Sequence, residues 1–277
     1  MSTNQRYFIE LAYNGTAYHG WQIQQNAVSV QELLNKALST ILRQPIETTG
    51  CGRTDTGVHA KEFFAHFDIE GHSPWSMVDS KSSSYGLSTI DYGHKVRGLN
   101  ALLPPDIAIK NIIPVHADAH ARFDATSRSY QYHVRFSKDP FLQGASWQLR
   151  DVPNIGLMNR AAVIMMDYID FSCFSKSNTQ VKTNNCKITS AEWVKTDSGI
   201  VFHITADRFL RNMVRAIVGT LMMIGREEIS PESIREIIES KNRSNAGTSV
   251  PACGLYLTEV KYPFPLASPP NPLKGEL

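Results

Sequence analysis

The stretch Gly52-Arg53-Thr54-Asp55-Thr56-Gly57-Val58-His59-Ala60 sets one carboxylate in a short polar loop, with an arginine two positions before it and a glycine on either side. A carboxylate presented in this way can attack an electrophilic carbon or stabilise a charge that develops beside it. Most aspartates in turns instead bond their own backbone, and a bare G-x-x-D-x-G does not separate the two uses. No second acidic residue accompanies Asp55 in the loop, which argues against a metal-dependent nuclease.

The elements around the loop are expected to fix its direction. Ile46-Glu47-Thr48-Thr49 reads as a short strand, and Phe63, Ala65, Phe67 and Ile69 alternate with Phe64, His66 and Asp68 as a half-buried strand does. Gly52 and Gly57 are both expected to take backbone angles closed to other residues, turning the chain at each end and projecting Asp55 into a cleft.

As a string, GRTDTGVHA resembles the signature of the TruA family of tRNA pseudouridine synthases, whose usual form is GRTDAGVH. Further pieces follow in that family's order: Tyr18-His19-Gly20-Trp21-Gln22, His120-Ala121-Arg122-Phe123, Arg128-Ser129-Tyr130-Gln131-Tyr132, the FLRNMVRAIVG run from Phe209 to Gly219, and Gly254-Leu255-Tyr256-Leu257. The resemblance spans about residues 6–262. It implies two α+β domains of βαββαβ type, ferredoxin-like or RRM-like, whose adjoining antiparallel sheets flank a basic cleft, usually within a cytoplasmic homodimer. It also implies a cofactor-free and metal-free isomerisation of uridine to pseudouridine at positions 38, 39 and 40 of the tRNA anticodon stem-loop.

That reaction breaks the N1–C1′ bond, turns the free uracil, and joins C5 to C1′ without net redox change. One nucleophilic carboxylate suffices, and the resemblance gives this role to Asp55; the sequence leaves open whether it attacks ribose C1′ or uracil C6. Full burial would raise a carboxylate from about 3.9 by as much as about 3–5 units, while an adjacent arginine lowers it by about 1–3, so a cationic neighbour decides the charge. The resemblance supplies that neighbour as Arg215, in Met213-Val214-Arg215-Ala216-Ile217-Val218-Gly219. It also places Tyr130 against the flipped uracil, where the hydroxyl is a candidate for the C5 proton.

Arg53, two positions from Asp55, is expected to hold backbone phosphates, with Arg122, Arg128 and Arg211 extending the track. Leu255 and Leu257 are candidates for apolar packing under the base, with an ordinary sheet-core role the alternative. Arg208, Arg211 and Arg215 fall at i, i+3 and i+7, on one side of a helix if the helix begins that early. His116 and His120 are four apart but lack partners at metal-ligand spacing, so no metal site is expected; His59 and His66 are read as structural.

Composition agrees with this class. The chain has 277 residues and a formal net charge of +2, so a grip on nucleic acid must come from clustered cations on one face. At this length roughly three quarters of the unfolded surface can be buried without a disulfide or metal staple. The four cysteines lack C-x-x-C spacing, as expected of reduced thiols in a cytosolic protein. The start has no long apolar run behind a basic segment, and the longest apolar run, Ala161 to Met166, is far short of a membrane span.

Periodicity divides the chain into two similar halves. Residues 6–13 read as a strand. Ser29 opens a helix by a capping box to Glu32, and Pro45 stops it. A short helix to Pro104-Pro105 and a strand over 107–115 complete βαββαβ. In the second half a strand over 130–136, a helix around 157–168, a hairpin about Asp197-Ser198, a long helix closed by Gly225, a helix after Ser230-Pro231 and a strand over 255–260 repeat the pattern. The expected domains are 1–112, with a Ser/Gly-rich insertion over 73–94, and 113–265, followed by a flexible tail over 266–277. Three departures from the family stand out: Thr56 beside the aspartate, the insertion, and a Lys182-Thr183-Asn184-Asn185 segment without arginine. The alternative functions are the same chemistry on another RNA and a non-catalytic RNA-binding or chaperone protein.

Overall fold

The computed structural model describes residues 5–69, 92–176 and 183–266. The first half runs β1 (Gln5–Tyr13), α1 (Val30–Leu42), β2 (Thr49–Gly50), β3 (His59–Ile69), α2 (Tyr92–Leu102) and β4 (Ile107–Pro114). The second runs β5 (Ser127–Arg135), β6 (Trp147–Gln148), α3 (Ile155–Met165), β7 (Ile188–Thr196), β8 (Gly199–Ala206), α4 (Met213–Gly225), α5 (Ser233–Glu239) and β9 (Leu255–Lys261).

Local chemistry explains several boundaries. The Ser29 side chain accepts a hydrogen bond from the Glu32 amide and starts α1, which ends where Arg43 turns left-handed at φ 55°. The strand expected over residues 46–49 is reduced to Thr49–Gly50, because Asn35 and Gln31 of α1 take up Thr48 by side-chain hydrogen bonds instead.

The two expected sheets are one. The strands lie in the order β4-β1-β3-β9-β5-β8-β7, with β2 beside β3 and β6 beside β5. Each half is antiparallel along this path, but the halves join by a short parallel contact, His59↔Tyr256 and Ala60↔Leu257. The sheet is therefore mixed. Because β9 is the last described strand and sits at the centre, it joins the two halves, and the starts of β3 and β9 lie side by side.

Two hydrophobic cores lie along this sheet. One gathers residues from Tyr7 to Ala121 with Leu257 and Val260; the other gathers Val58 with residues from Tyr132 to Leu255. The cores exchange residues across the 112/113 division, since Ile113, Ala119 and Ala121 belong to the first. The half-buried reading of β3 does not hold: Phe64 and His66 are buried as well as Phe63, Ala65 and Phe67. Tyr262 stands edge-on to Phe64 at 5.5 Å, and His120 stands edge-on to His66 at 4.5 Å, so a central strand is covered on both faces. Phe264 packs its ring on Phe8 and His116, and Leu266 also leans on the first core, while Pro263 and Pro265 are exposed. Residues 267–277 and most of the expected insertion lie outside the described residues, while residues 92–94 open α2.

Candidate active site

The Asp55 loop enters β3 across a bed made by the Tyr18–Gln22 segment. The Trp21 amide donates to the Thr54 carbonyl at 3.2 Å, the Gly57 amide donates to the Tyr18 carbonyl at 3.3 Å, and the Val58 amide closes a turn on the Asp55 carbonyl at 3.1 Å. Tyr13 and Thr54 hydroxyls meet at 2.9 Å in the buried interior. Gly20, at φ +86°, lies so close beneath the loop that a Cβ would stand 2.4 Å from the Thr54 carbonyl oxygen. Gly57 uses its freedom at φ +76°, but Gly52 does not adopt a positive φ, so only one end of the loop needs the glycine conformation. The Tyr18-His19-Gly20-Trp21 string was legible only as a match; its work is to carry the backbone on either side of Asp55.

The opposite wall is the start of α4. Arg215 donates from Nε to the Val250 carbonyl at 2.7 Å, and the Val250 amide donates back to the Arg215 carbonyl at 3.3 Å. Gly219 brings the helix against the following segment so closely that a Cβ would stand 1.9 Å from the Thr248 carbonyl oxygen. The buried Thr220 hydroxyl locks this seam, accepting from the Gly247 amide at 2.8 Å and donating to the Ala216 carbonyl at 3.0 Å. Arg215 is thus held by backbone before it meets the carboxylate.

Two guanidinium groups face Asp55, one on each oxygen. Arg215 Nη1 lies 3.8 Å from Oδ2, and Arg211 Nε lies 3.6 Å from Oδ1. Both are ion pairs at a distance beyond a good direct hydrogen bond. The Asp55 side chain is 27% exposed, so its desolvation is partial, and Arg215 at 21% is better shielded from solvent than Arg211 at 60%. The arrangement leaves the carboxylate cation-flanked yet free of a tight clamp, which suits an attacking group.

Arg211 had been expected among the phosphate contacts, and the helical stripe of Arg208, Arg211 and Arg215 does not form. Asn212 adopts a left-handed conformation at φ 66°, α4 begins only at Met213, and the turn swings Arg211 onto Asp55. Arg128 likewise departs from the phosphate track. It is 9% exposed, and its guanidinium donates to three carbonyls: Cys51 at 2.7 Å, Arg122 at 2.7 Å and Asp207 at 3.1 Å. It ties together the segments that carry Arg53, Arg122 and Arg208. Arg53 and Arg122 are exposed.

Tyr130 sits where the two cores meet and packs edge-to-face on Phe209, with ring centroids 5.1 Å apart. Burial pushes its phenol well above the ordinary range, and the charge of Asp55 adds to the effect against Arg128, so the hydroxyl is held as a proton donor. Phe209 opens the FLRNMVR string but gave no separate sign of its contact with Tyr130. Leu255 and Leu257, 6% and 1% exposed, belong to the second and first cores respectively, as the sheet-core alternative had it. His59 accepts from the Gly15 amide at Nδ1 and meets the Cys253 carbonyl at Nε2, while burial lowers its pKa. His66 accepts from the Ala121 amide at Nδ1. Among the described residues no group of three His, Cys, Asp or Glu side chains is placed to hold a metal ion, and no helix is long and apolar enough to cross a membrane.

Known proteins are similar to this chain along most of its length. A family model described as tRNA pseudouridine synthase matches residues 168–263. A tRNA pseudouridine synthase A from Bacteroides fragilis is 49% identical over 260 residues, covering 94% of this chain and 97% of the relative. One from Porphyromonas gingivalis is 50% identical over 263 residues, covering 94% and 98%. The more distant Clostridium acetobutylicum protein of the same name is 36% identical over 256 residues, covering 92% and 98%.

Proposed function

The chain belongs to the tRNA pseudouridine synthase A family, an isomerase that converts uridine to pseudouridine in tRNA, and from that premise we propose that Asp55 is its nucleophile and the anticodon stem-loop, at positions 38, 39 and 40, its target. The observation that supports Asp55 as the nucleophile is the pair of arginines, Arg211 and Arg215, set one on each oxygen of the same loop carboxylate.

The target uridine swings out of its stack into the cleft between the Asp55 loop and the start of α4. Asp55 attacks C1′, displacing N1, or adds to C6 before the N1–C1′ bond breaks; the uracil then turns, C5 bonds to C1′, and the bond to Asp55 breaks to return the free carboxylate. C5 then loses its proton and N1 gains one, so atoms and electrons balance with no cofactor. Arg215 pairs with Asp55 and orients it through a fixed guanidinium that remains charged throughout the cycle. Tyr130 lies against the base as an apolar, edge-supported surface; its neutral phenol suits donation better than removal of the C5 proton. Arg53 and Arg122 hold phosphates beside the flipped nucleotide, as exposed cations do.

The working unit is a cytoplasmic homodimer, and each protomer is built from two ferredoxin-like domains. Support for the domain reading comes from the strand orders β4-β1-β3-β2 and β9-β5-β8-β7, which are the same permutation of βαββαβ in the two halves. The assignment to positions 38–40 is tested by mapping pseudouridine in tRNA transcripts incubated with the purified protein. Pseudouridine confined to those positions is expected, and modification elsewhere in the tRNA would overturn the site assignment.

A further inference from the structure

Phe123 is an aromatic ring held in solvent, 74% exposed. A tight turn presents it. Asp124 accepts the His120 amide at 2.7 Å and returns its own amide to the His120 carbonyl at 3.1 Å. The His120 ring then accepts both the Arg122 and Phe123 amides at Nδ1, at 3.1 and 3.2 Å. That same imidazole lies 4.2 Å from the Phe123 ring at a 33° tilt, and the Arg122 guanidinium carbon stands 5.7 Å from the ring centroid. The ring is supported from within and open without.

The turn is tied to the catalytic loop by Arg128, which donates at once to Arg122, to Cys51 two positions before Arg53, and to Asp207 one position before Arg208. Three arginine-bearing segments are thereby tied to the turn that carries Phe123. Burial and the like charges of Arg53, Arg128 and Arg208 all weaken the hold of Arg122 on its proton, a sign of their closeness. Among the described residues Arg53, Arg122 and Arg208 make no ion pair, whereas Arg211 and Arg215 do. An exposed ring beside Arg122, with Arg53 and Arg208 close to that guanidinium, fits a polyanion that carries aromatic faces. An ordinary core role does not account for a ring so exposed, and an apolar protein surface would leave the cations without partners.

We propose that Phe123 is a stacking platform for an unpaired base of the bound tRNA, distinct from the target uridine, with Arg53, Arg122 and Arg208 holding the phosphates of the strand that runs from the flipped nucleotide to that base. The inference rests on tRNA being the substrate. It adds a contact through which a loop nucleotide outside the Asp55 pocket fixes the register of the RNA.

The test replaces Phe123 by Trp and by Leu in the full-length protein and titrates each with tRNA transcript. For Phe123→Trp, emission read as the difference from wild type is expected to be quenched by tRNA but not by heparin, which offers anionic groups without bases. Binding measured by mobility shift is expected to weaken about fivefold or more for Phe123→Leu, the loss of one base stack, and to be retained by Phe123→Trp. Unquenched emission while the mobility shift shows tRNA bound overturns the proposal, as does equal affinity for the Leu variant. Emission that changes with protein concentration alone, and not with tRNA, also overturns it by assigning the ring to a second copy. Absence of pseudouridine from wild-type reactions on the same transcript would instead count against the catalytic reading, and leaves the quenching result intact.

Discussion

Arg215 and Arg211 flank the same carboxylate, but their surroundings give them unequal weight. Arg215 is anchored through Nε to the Val250 carbonyl and is 21% exposed, while Arg211 is 60% exposed. Arg215→Lys removes both the anchor and the fork, so the rate constant in a single-turnover tRNA assay is expected to fall about 100-fold or more, the cost of misplacing a reacting group by about 1 Å. Arg211→Lys is expected to stay within about fivefold, as an exposed ion pair contributes at most about 1 kcal/mol. Equal losses from the two would remove the distinction. A second expectation concerns His66, whose pKa is lowered to about 4, chiefly by burial and then by His120 and Arg6. Its folded pKa lies below the unfolded value, so its contribution is fully present above about pH 6.5 and declines as pH falls toward 4. By pH 5 the loss amounts to about 2 kcal/mol. Denaturant midpoints at pH 7.5 and pH 5 are expected to differ less in His66→Asn than in wild type; an identical pH loss in both would show that His66 does not carry it.

Helix α4 and its neighbours show how far local pattern reaches. The capping of α1 by Ser29 and the closure of α4 at Gly225 are local, and both were legible. So was the sequence of elements in each half, with Asp55 between sheet strands and Arg215 on a helix. The left-handed Asn212 was not, because nothing in its neighbours' periodicity marks it, and so the stripe of three arginines was read one turn too early. The burial of Arg128 was illegible for a related reason: a sequence gives its charge, whereas its three carbonyl partners come from segments 6 to 79 residues away. The seam between α4 and the Gly247–Val250 segment is likewise tertiary. Gly219→Ala would drive a methyl into the Thr248 carbonyl, and the strain of overpacking is expected to cost about 1–3 kcal/mol. Since the same seam sets Arg215, activity is expected to fall even at temperatures where the variant remains folded by circular dichroism. Full activity with unchanged melting would show that the seam yields.

At the scale of the whole molecule, the central position of β9 explains why one site draws on both halves. The short parallel joint between β3 and β9 sets the Asp55 loop beside the segment that anchors Arg215, and Gly57 approaches Ala252 at that junction, where an added Cβ would stand 3.4 Å from the Ala252 Cβ. Sequence patterning gave two halves but could not give their joint, because a pairing of two residues per strand leaves no periodic trace. What the joint brings together is one loop carboxylate and a cationic helix start, and the chemistry is assigned to that meeting. Release of tritium from C5-labelled uridine in transcribed tRNA measures the step that only turnover produces. Wild type is expected to release it without added cofactor, while Asp55→Ala, folded and still shifting tRNA on a gel, is expected to release none above background. Sustained release by Asp55→Ala would contradict the assignment of Asp55 as the nucleophile.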